Sequence, residues 1–450
     1  MLEVRQHPAR GRGLYTTRHV QGGEVVLQEG PLMLVAAHTM KDAACAMCLR
    51  HLAAVAGGIQ CPQCQQASFC GSACKQAAES SHWVHGLDVC RAYQKLGAVS
   101  VGEQQALQDE QDLDAARFLI HALCLKALAV QGQADAIQRC TSLLSLVGDP
   151  TEVELRVATR LRPVLEHALN AVPNSVDVTE VATLLRKEQL NSYGILAPPP
   201  STSQPSSAPA APALASASLG AQGGDVQGAG YAPMTEEEAE DGERRLRGSA
   251  LYVQASLINH ECNPNVARFD AFDQQGPTST HVCFKAMHDL PPGTEVFQSY
   301  CPLSWDHEER QAHCKDVYGF ACTCQRCQME GRHGDRMQGD DGSSGGWMTD
   351  DEEGGREAGM GEDGEGAPSI SGVDGGSMAV DADAAGASEA GPLDPTYLQL
   401  YLLKYVCPIP SCFGTMAPVG PGVSLHECAV CGHTRSEEQF LQELEGPIAE

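Results

Sequence analysis

Positive charge is scarce in this 450-residue chain: 30 Lys+Arg stand against 58 Asp+Glu, a formal net charge of −28. Binding nucleic acid by phosphate neutralisation needs basic patches. Stretches that interleave basic and aromatic residues are missing too, so no direct nucleic-acid contact is expected. Long apolar runs are also lacking. The best candidate, "FLIHALCLKALAV" (118–130), is broken by His121 and Lys126 and falls short of the ~18 apolar residues of a membrane span. The opening "MLEVRQHPARGRGLY" has no apolar run after a basic region, unlike a secretory leader. The expectation is an intracellular protein, in nucleus or cytoplasm, with no membrane partner. No internal repeat is apparent.

The length suggests two or three domains, and the composition changes along the chain. Residues 1–37 read as short strands and Gly-punctuated turns. From about 104 to 170, apolar residues recur at three- and four-residue spacing, as in helices, with Pro163 expected to kink or restart one of them. A further helix is expected over 177–190, with Asp177 and Glu180 spaced as an N-cap pair. Residues 197–248 begin with a Pro/Ala/Ser/Gly-rich run without periodicity and read as a disordered insertion. Strand-like alternation returns over 249–320. Residues 331–395 hold 16 Asp+Glu and 3 Arg, a net of −13, and read as an acidic linker too polar to fold alone.

Cysteine is abundant, with 20 in the chain. In an intracellular protein this favours metal binding over disulfides. The first cluster reads "CAMC" (45–48), "CPQC" (61–64), "CGSAC" (70–74) and "HWVHGLDVC" (82–90). Seven thiols and a histidine are enough for two tetrahedral sites, and Zn²⁺ favours this mixture because a tight turn aims paired sulfurs at one ion. The second set, "FACTCQRC" (320–327), supplies Cys322, Cys324 and Cys327, one ligand short of a closed site. The fourth is expected from Cys262 in "NHECNPN" (259–265). That polar stretch follows the apolar "ALYVQASLI" directly, and delivering a thiolate to a metal is one reason for it to leave the core. The third set pairs "CPIPSC" (407–412) with "CAVC" (428–431): Cys407, Cys412, Cys428 and Cys431 read as a zinc ribbon. Cys124, Cys140, Cys283, Cys301 and Cys314 remain as core thiols.

"GRGLYTT", "NHECNPN", "SY" at 299–300 and "YGFACTCQRC" follow one another in the order of a SET domain, and the 45–90 cluster resembles a MYND finger. Together they resemble the SET-and-MYND (SMYD-type) protein-lysine methyltransferases. "QLNSYGIL" (189–196) is similar to that family's entry into the core, and "ASLINHECNPNVARFD" is most like its plant-type members. The resemblance implies an α+β fold: a β-rich SET core with an inserted MYND zinc finger and helical insert, plus a C-terminal zinc-ribbon-like module. The implied boundaries are 1–44 for the N-terminal SET segment, 45–90 for the finger, 91–190 for the helical insert and 191–318 for the core SET. A post-SET zinc motif at 319–330 follows, then the 331–395 linker and a 396–435 ribbon. In the finger, alternate pairs would share an ion. Cys45, Cys48, Cys70 and Cys74 would form one site, and Cys61, Cys64, His82 and Cys90 the other. His82 is favoured by its seven-residue gap after Cys74, with His85 as the rival.

The family's packing is knot-like, with S-adenosylmethionine on one face of the junction and a substrate lysine on the other. It implies cofactor contacts from Asn259, His260, Asn191 and Phe320, and from Arg10 and Arg12 toward the cofactor's carboxylate. Gly11 and Gly13 would let the backbone come close. Tyr300 would orient the amine and stabilise the transferring methyl, and Tyr318 would wall the lysine channel. Outside these motifs a tyrosine ending a strand is usually a packed aromatic. The implied partners are a protein with a target lysine, such as a basic histone tail, and a Pro-rich peptide at the MYND finger. The alternative function is a catalytically weak MYND adaptor in transcriptional regulation.

Overall fold

The structure, a computed structural model, describes residues 1–54, 58–98, 107, 110–196, 245–274, 276, 278–338, 395–409 and 412–445. Nearly all of the expected 197–248 insertion, and the expected acidic linker apart from its edges, lie outside the described residues.

The chain opens with β1 (Leu2–His7), β2 (Gly11–Thr16), β3 (Val25–Glu29) and β4 (Met33–Ala36). The thiol-rich segment adds β5 (Ile59–Gln60), β6 (Ser68–Phe69), α1 (Ser72–Ser80) and α2 (Leu87–Leu96). Then come α3 (Glu110–Val130), α4 (Ala134–Ser145), α5 (Glu152–Leu169) and α6 (Val178–Asn191). Thr151 opens α5 with a capping box, and the Asp177 side chain caps α6 by accepting from Thr179 and Glu180. Pro163 lies inside α5, so the helix neither stops nor restarts there; the turns on either side carry it through the missing N–H.

The chain re-enters the sheets with β7 (Ser192–Leu196), β8 (Leu246–Leu251), β9 (Asn259–His260), β10 (Val266–Asp270), β11 (Val282–Ala286) and β12 (Phe297–Gln298). α7 (His307–His313) and α8 (Gln325–Gln338) follow. The C-terminal part holds α9 (Pro395–Tyr405), β13 (Met416–Pro418), β14 (Leu425–Cys428), β15 (Thr434–Ser436) and α10 (Glu437–Glu445). Small sheets order as β10-β11-β3, β4-β8-β7, β13-β14-β15 and the parallel pair β12-β9. Among the described residues no helix is long and apolar enough to cross a membrane.

Every residue of β10 and β11 is buried, because successive side chains point to opposite faces and both faces are covered. Val266, Val282, Phe284 and Ala286 join Leu14, Leu27 and Ile258 in the central core. Ala267, Phe269 and Cys283 meet Tyr401, Tyr405, Ala417 and Ala429 of the C-terminal part. The thiol-rich segment is likewise continuous with its neighbours. Cys45, Trp83 and Tyr93 share one core with Leu119, Leu161 and Val181 of the helices. Arg117 fastens this joint. Its guanidinium, 1% exposed, donates to Ala36 O and Gln66 O, each at 3.1 Å, and lies 4.1 Å from the Tyr93 ring centroid.

Candidate active site and metal centres

The site grows from the short parallel pairing of β9 with β12, which sets Asn259 against Phe297 and His260 against Gln298. The 259–265 loop is laced to the strand beyond it. Glu261 N donates to Gln298 O at 2.9 Å and Asn265 N to Phe297 O at 3.1 Å. The Asn265 side chain does both jobs of a strand residue, donating to Glu295 O and accepting from Phe297 N, each at 2.8 Å. Asn265 is therefore spent on holding the two segments together.

On one side of the crossing lies a charged network. The buried Glu295 carboxylate accepts from Arg10, from Tyr15 Oη at 2.7 Å and from Asn259 Nδ2 at 2.9 Å. Asn259 Nδ2 also reaches Arg12 O at 3.1 Å. Burial alone would raise the Glu295 pKa, but its donors outweigh this and hold it below the usual carboxylate range. Gly13 sits against the same group: a Cβ there would lie 2.6 Å from Glu295 Oε1 and 3.0 Å from Asn259 Nδ2. Gly11 is needed for a different reason, a φ of +74° with open space around it. Arg12 extends to Ser145 O at 3.1 Å.

On the other side is an aromatic cluster. The Tyr300 ring lies 5.2 Å from His260 and 4.6 Å from Tyr318, and Phe320 lies 6.0 Å from His260 and 6.3 Å from Tyr318, centroid to centroid. Tyr300 Oη donates to Ile258 O at 2.9 Å, leaving its lone pairs for other donors. Burial raises the Tyr300 pKa well above its ordinary value, so it stays neutral near pH 7. His260 Nδ1 accepts the Tyr300 backbone N–H at 2.9 Å, which assigns its proton to Nε2, and Nε2 faces Cys262 Sγ at 3.2 Å. Burial lowers the His260 pKa to about 3, keeping the ring neutral. Tyr318 reaches the cluster through a single π-helical turn, Cys314–Tyr318, closed by Gly319 at φ +79°. Phe320 is half-exposed and marks the open side.

Asn191 stands apart. It is buried, and its Nδ2 donates to Val147 O and Lys187 O, both at 2.7 Å. Its own carbonyl accepts from Ser256 Oγ at 3.3 Å, shortly before the 259–265 loop.

The cysteines gather into four groups whose ligand atoms all lie within 4.8 Å of one another. They are Cys45, Cys48, Cys70 and Cys74; Cys61, Cys64, His85 and Cys90; Cys262, Cys322, Cys324 and Cys327; and Cys407, Cys412, Cys428 and Cys431. A tetrahedral zinc with Zn–S of about 2.3 Å has a sulfur–sulfur edge of about 3.8 Å. The observed separations match it: 3.7 Å for Cys48–Cys70, 3.7 Å for Cys61–Cys90, 3.8 Å for Cys262–Cys322 and 3.6 Å for Cys412–Cys428. No sulfur is in a disulfide. The donor chemistry, four clustered thiols or three thiols and an imidazole, suits a thiolate-loving ion such as zinc. The expected core thiols Cys124, Cys283, Cys301 and Cys314 are buried and Cys140 half-buried.

One ligand differs from the sequence expectation. His85, not His82, joins Cys61, Cys64 and Cys90, with Nε2 3.7 Å from Cys64 Sγ. His82 is exposed in a turn with φ +55°. The spacing from Cys74 pointed to His82, but His85 N bonds back to Ala78 O at 3.1 Å. This folds His85 inward just before α2, whose first turn delivers Cys90. The ring packs 5.4 Å from Phe69, and burial lowers its pKa to about 4, the neutral form a metal requires. Glu295, Tyr15 and Asn265 were not singled out from the sequence at all. The signal for Glu295 is that "GTEVFQSY" carries an acid inside a strand-like apolar run; Tyr15 and Asn265 lie inside the quoted motifs "GRGLYTT" and "NHECNPN" without a role of their own.

A parallel strand pair set between a charged network and an aromatic cluster, with a four-thiol group beside it, accompanies a family match: residues 11–301 match the model of the SET domain. The chain belongs to the SET domain family, in its SET-and-MYND branch of protein-lysine methyltransferases. It is 25% identical over 450 residues to histone-lysine N-methyltransferase ASHR2 of Arabidopsis thaliana, covering 97% of this chain and 96% of that one. It is 22% identical to histone-lysine N-methyltransferase ASHR1 of the same plant, over 74% of this chain and 56% of that one. A shorter stretch, 21% of this chain and 20% of the relative, is 34% identical to human histone-lysine N-methyltransferase SMYD3.

Proposed function

We propose that this protein transfers the methyl group of S-adenosylmethionine to the side-chain amine of a lysine in a protein substrate, histone or non-histone. The observation that carries the reading is the joining, through Asn259–His260 and Tyr300, of a polar glycine-lined face to an aromatic one. A zwitterionic cofactor suits the first, with Asn259, His260, Arg10, Arg12, Gly11 and Gly13 around it and Asn191 and Phe320 at its margins. An alkyl-ammonium chain suits the second. When bound, the cofactor supplies an electrophilic methyl on sulfonium sulfur.

The rest falls to the chain. A lysine has a pKa of about 10.4 in water, and an aromatic channel that desolvates it lowers that value toward neutrality. Tyr318 walls the channel and Tyr300 directs its oxygen at the amine, aligning the nitrogen lone pair. Positioning of this kind can supply ~7 kcal/mol or more of a barrier. Since the Tyr300 phenol is held neutral, the proton leaves the amine to solvent before transfer rather than to Tyr300.

The thiol groups suit four zinc ions: two in the MYND finger, one beside the 259–265 loop and one in the C-terminal module. A Pro-rich peptide is the further partner proposed for the finger; the recess of about 220 Å³ there is walled by Cys61, His85 and Cys90 and belongs to the second thiol group rather than to a peptide groove. Nucleus or cytoplasm is the compartment in which reduced thiols of this number persist. The test is incubation of zinc-replete protein with isotopically labelled S-adenosylmethionine and a methyl-poor protein extract, beside Tyr300→Phe. Label on lysine from the wild type, greatly reduced in the variant, supports the reading. Absence of both transfer and cofactor binding overturns it.

A further inference from the structure

We infer that Tyr401, on the helix leading into the C-terminal metal module, is a positioning residue for the 259–265 loop. The inference rests on the reading that this loop holds the cofactor. α9 buries Leu398, Tyr401 and Tyr405, residues three and four apart and so on one face. The Tyr401 hydroxyl donates to the carbonyl of Pro264, inside the loop itself. The Tyr405 hydroxyl, one turn on, donates to Met287 O at 3.0 Å, just past the end of β11. The two rings pack with centroids 4.7 Å apart, tilted by 49°.

Three donors from three parts of the chain hold the loop's carbonyls. Arg326, beside the third thiol group, donates to Cys262 O at 3.2 Å. Met287 N donates to Asn265 O at 2.9 Å. Tyr401 supplies the third, and it alone comes from the C-terminal part. Proline contributes no N–H, so the loop cannot be tied at position 264 by an amide, and the carbonyl is the one handle left there. Two residues upstream lies Cys262, and beyond it Asn259 and His260.

The module that carries Tyr401 is itself anchored. α9 ends at Tyr405, and Cys407 follows with its N–H on Gly414 O at 2.8 Å. The Cys407, Cys412, Cys428 and Cys431 group therefore fixes the end of α9 against β13 and β14. β14 brings Glu427 to Lys285 at 3.9 Å, a buried pair on the core sheet. Gly420 packs so closely on Gly23 that a Cβ at Gly23 would lie 2.5 Å from its backbone. The C-terminal metal group thus holds the helix whose hydroxyl closes the loop.

The test compares Tyr401→Phe with Tyr405→Phe in the zinc-replete full chain. Both keep the ring and remove one buried hydroxyl from the same helix; the first bonds the loop directly at Pro264 O, the second only the carbonyl of Met287, one residue removed from the loop. Amide hydrogen exchange at Glu261 and Asn265, without cofactor, is the first readout. Tyr401→Phe speeds it about tenfold, the scale of one buried hydrogen bond, and Tyr405→Phe leaves it within about twofold. The second readout is the affinity for S-adenosylhomocysteine by calorimetry, expected to weaken about fivefold to tenfold in Tyr401→Phe alone. Unchanged exchange in Tyr401→Phe, or equal acceleration in both variants, overturns the inference. So does unchanged affinity while the wild type binds. Faster exchange with no binding even by the wild type sustains the clamp and sinks the cofactor reading instead.

Discussion

His260 bridges Tyr300 and Cys262. One ring nitrogen accepts the Tyr300 N–H at 2.9 Å and the other faces the Cys262 sulfur at 3.2 Å. The placement of the tyrosine is thereby coupled through a single imidazole to the thiol group of Cys262, Cys322, Cys324 and Cys327. Hydrogen bonds to ligating atoms orient metal sites; this one also orients the residue expected to meet the substrate. Cys324→Ser should lower bound zinc by one equivalent and turnover with it, although Cys324 touches neither Tyr300 nor His260 among the contacts described. Elemental analysis beside single-turnover rates checks this, and full turnover at reduced zinc would break the link.

Removing the Tyr300 hydroxyl should act on the chemical step. Tyr300→Phe is expected to lower kcat about tenfold to a hundredfold, the scale of a hydrogen bond to a developing charge. Affinity for S-adenosylhomocysteine should stay within about twofold, since the ring stays between His260 and Tyr318. Because burial raises the phenol pKa, the wild-type rate should rise with pH through lysine deprotonation and show no fall from Tyr300 ionisation below about pH 10. A descending limb near pH 8 would contradict this.

The two glycines of "GRG" should fail differently. Gly13→Ala drives a Cβ to 2.6 Å from Glu295 Oε1, so the Arg10–Glu295–Asn259 network must shift, and cofactor affinity should fall about tenfold or more. Gly11→Ala meets no atom within 4 Å but keeps a strained φ of +74°. It should cost about 1 kcal/mol of stability and less affinity. Calorimetry and thermal melts separate the two; equal losses of affinity would refute the assignment.

Glu295 predicts a pH signature. Its folded pKa lies below the unfolded value, so its contribution is fully present above about pH 4.3 and is lost as pH falls through the depressed folded value. Glu295→Gln should destabilise the protein at neutral pH by about 1.5–3 kcal/mol, the scale of charged hydrogen bonds. The gap from wild type should narrow as pH drops below about 4. Denaturant melts of both proteins across pH 3–7 measure it, and a pH-independent gap would contradict the network.

The finger's histidine is decided by metal content. His85→Ala should lose one zinc equivalent, whereas His82→Ala should keep the wild-type complement, because His82 is exposed and outside the group. Native mass spectrometry reads the difference directly.

The thiol groups were legible in the sequence because closely spaced pairs declare a local geometry. Cys262 was reached by counting ligands, since three thiols demand a fourth. His85 was ranked behind His82 because chain distance from Cys74 cannot see the turn that folds position 85 back on Ala78. Glu295 was missed because a lone acid in a strand looks like any side chain pointing to water; only the fold brings Arg10 and Tyr15 to it from 285 and 280 residues away. Tyr401 lay beyond reach for the same reason, 137 residues from its carbonyl. The helices followed from periodicity and from the Asp177 cap; of the two outcomes expected at Pro163, a restart does not occur, because neighbouring turns hold the helix on both sides of it.

The double burial of β10 and β11 bears on how this enzyme can be cut down. A fragment ending after α8 would keep every residue of the aromatic cluster and the Glu295 network. It would also strip the cover from Ala267, Phe269, Cys283 and Met287, turning an interior sheet face into a wet apolar surface of the kind that drives self-association. Shortened versions of this chain would then be limited by solubility before chemistry, and the natural unit for any assay extends through the last thiol pair.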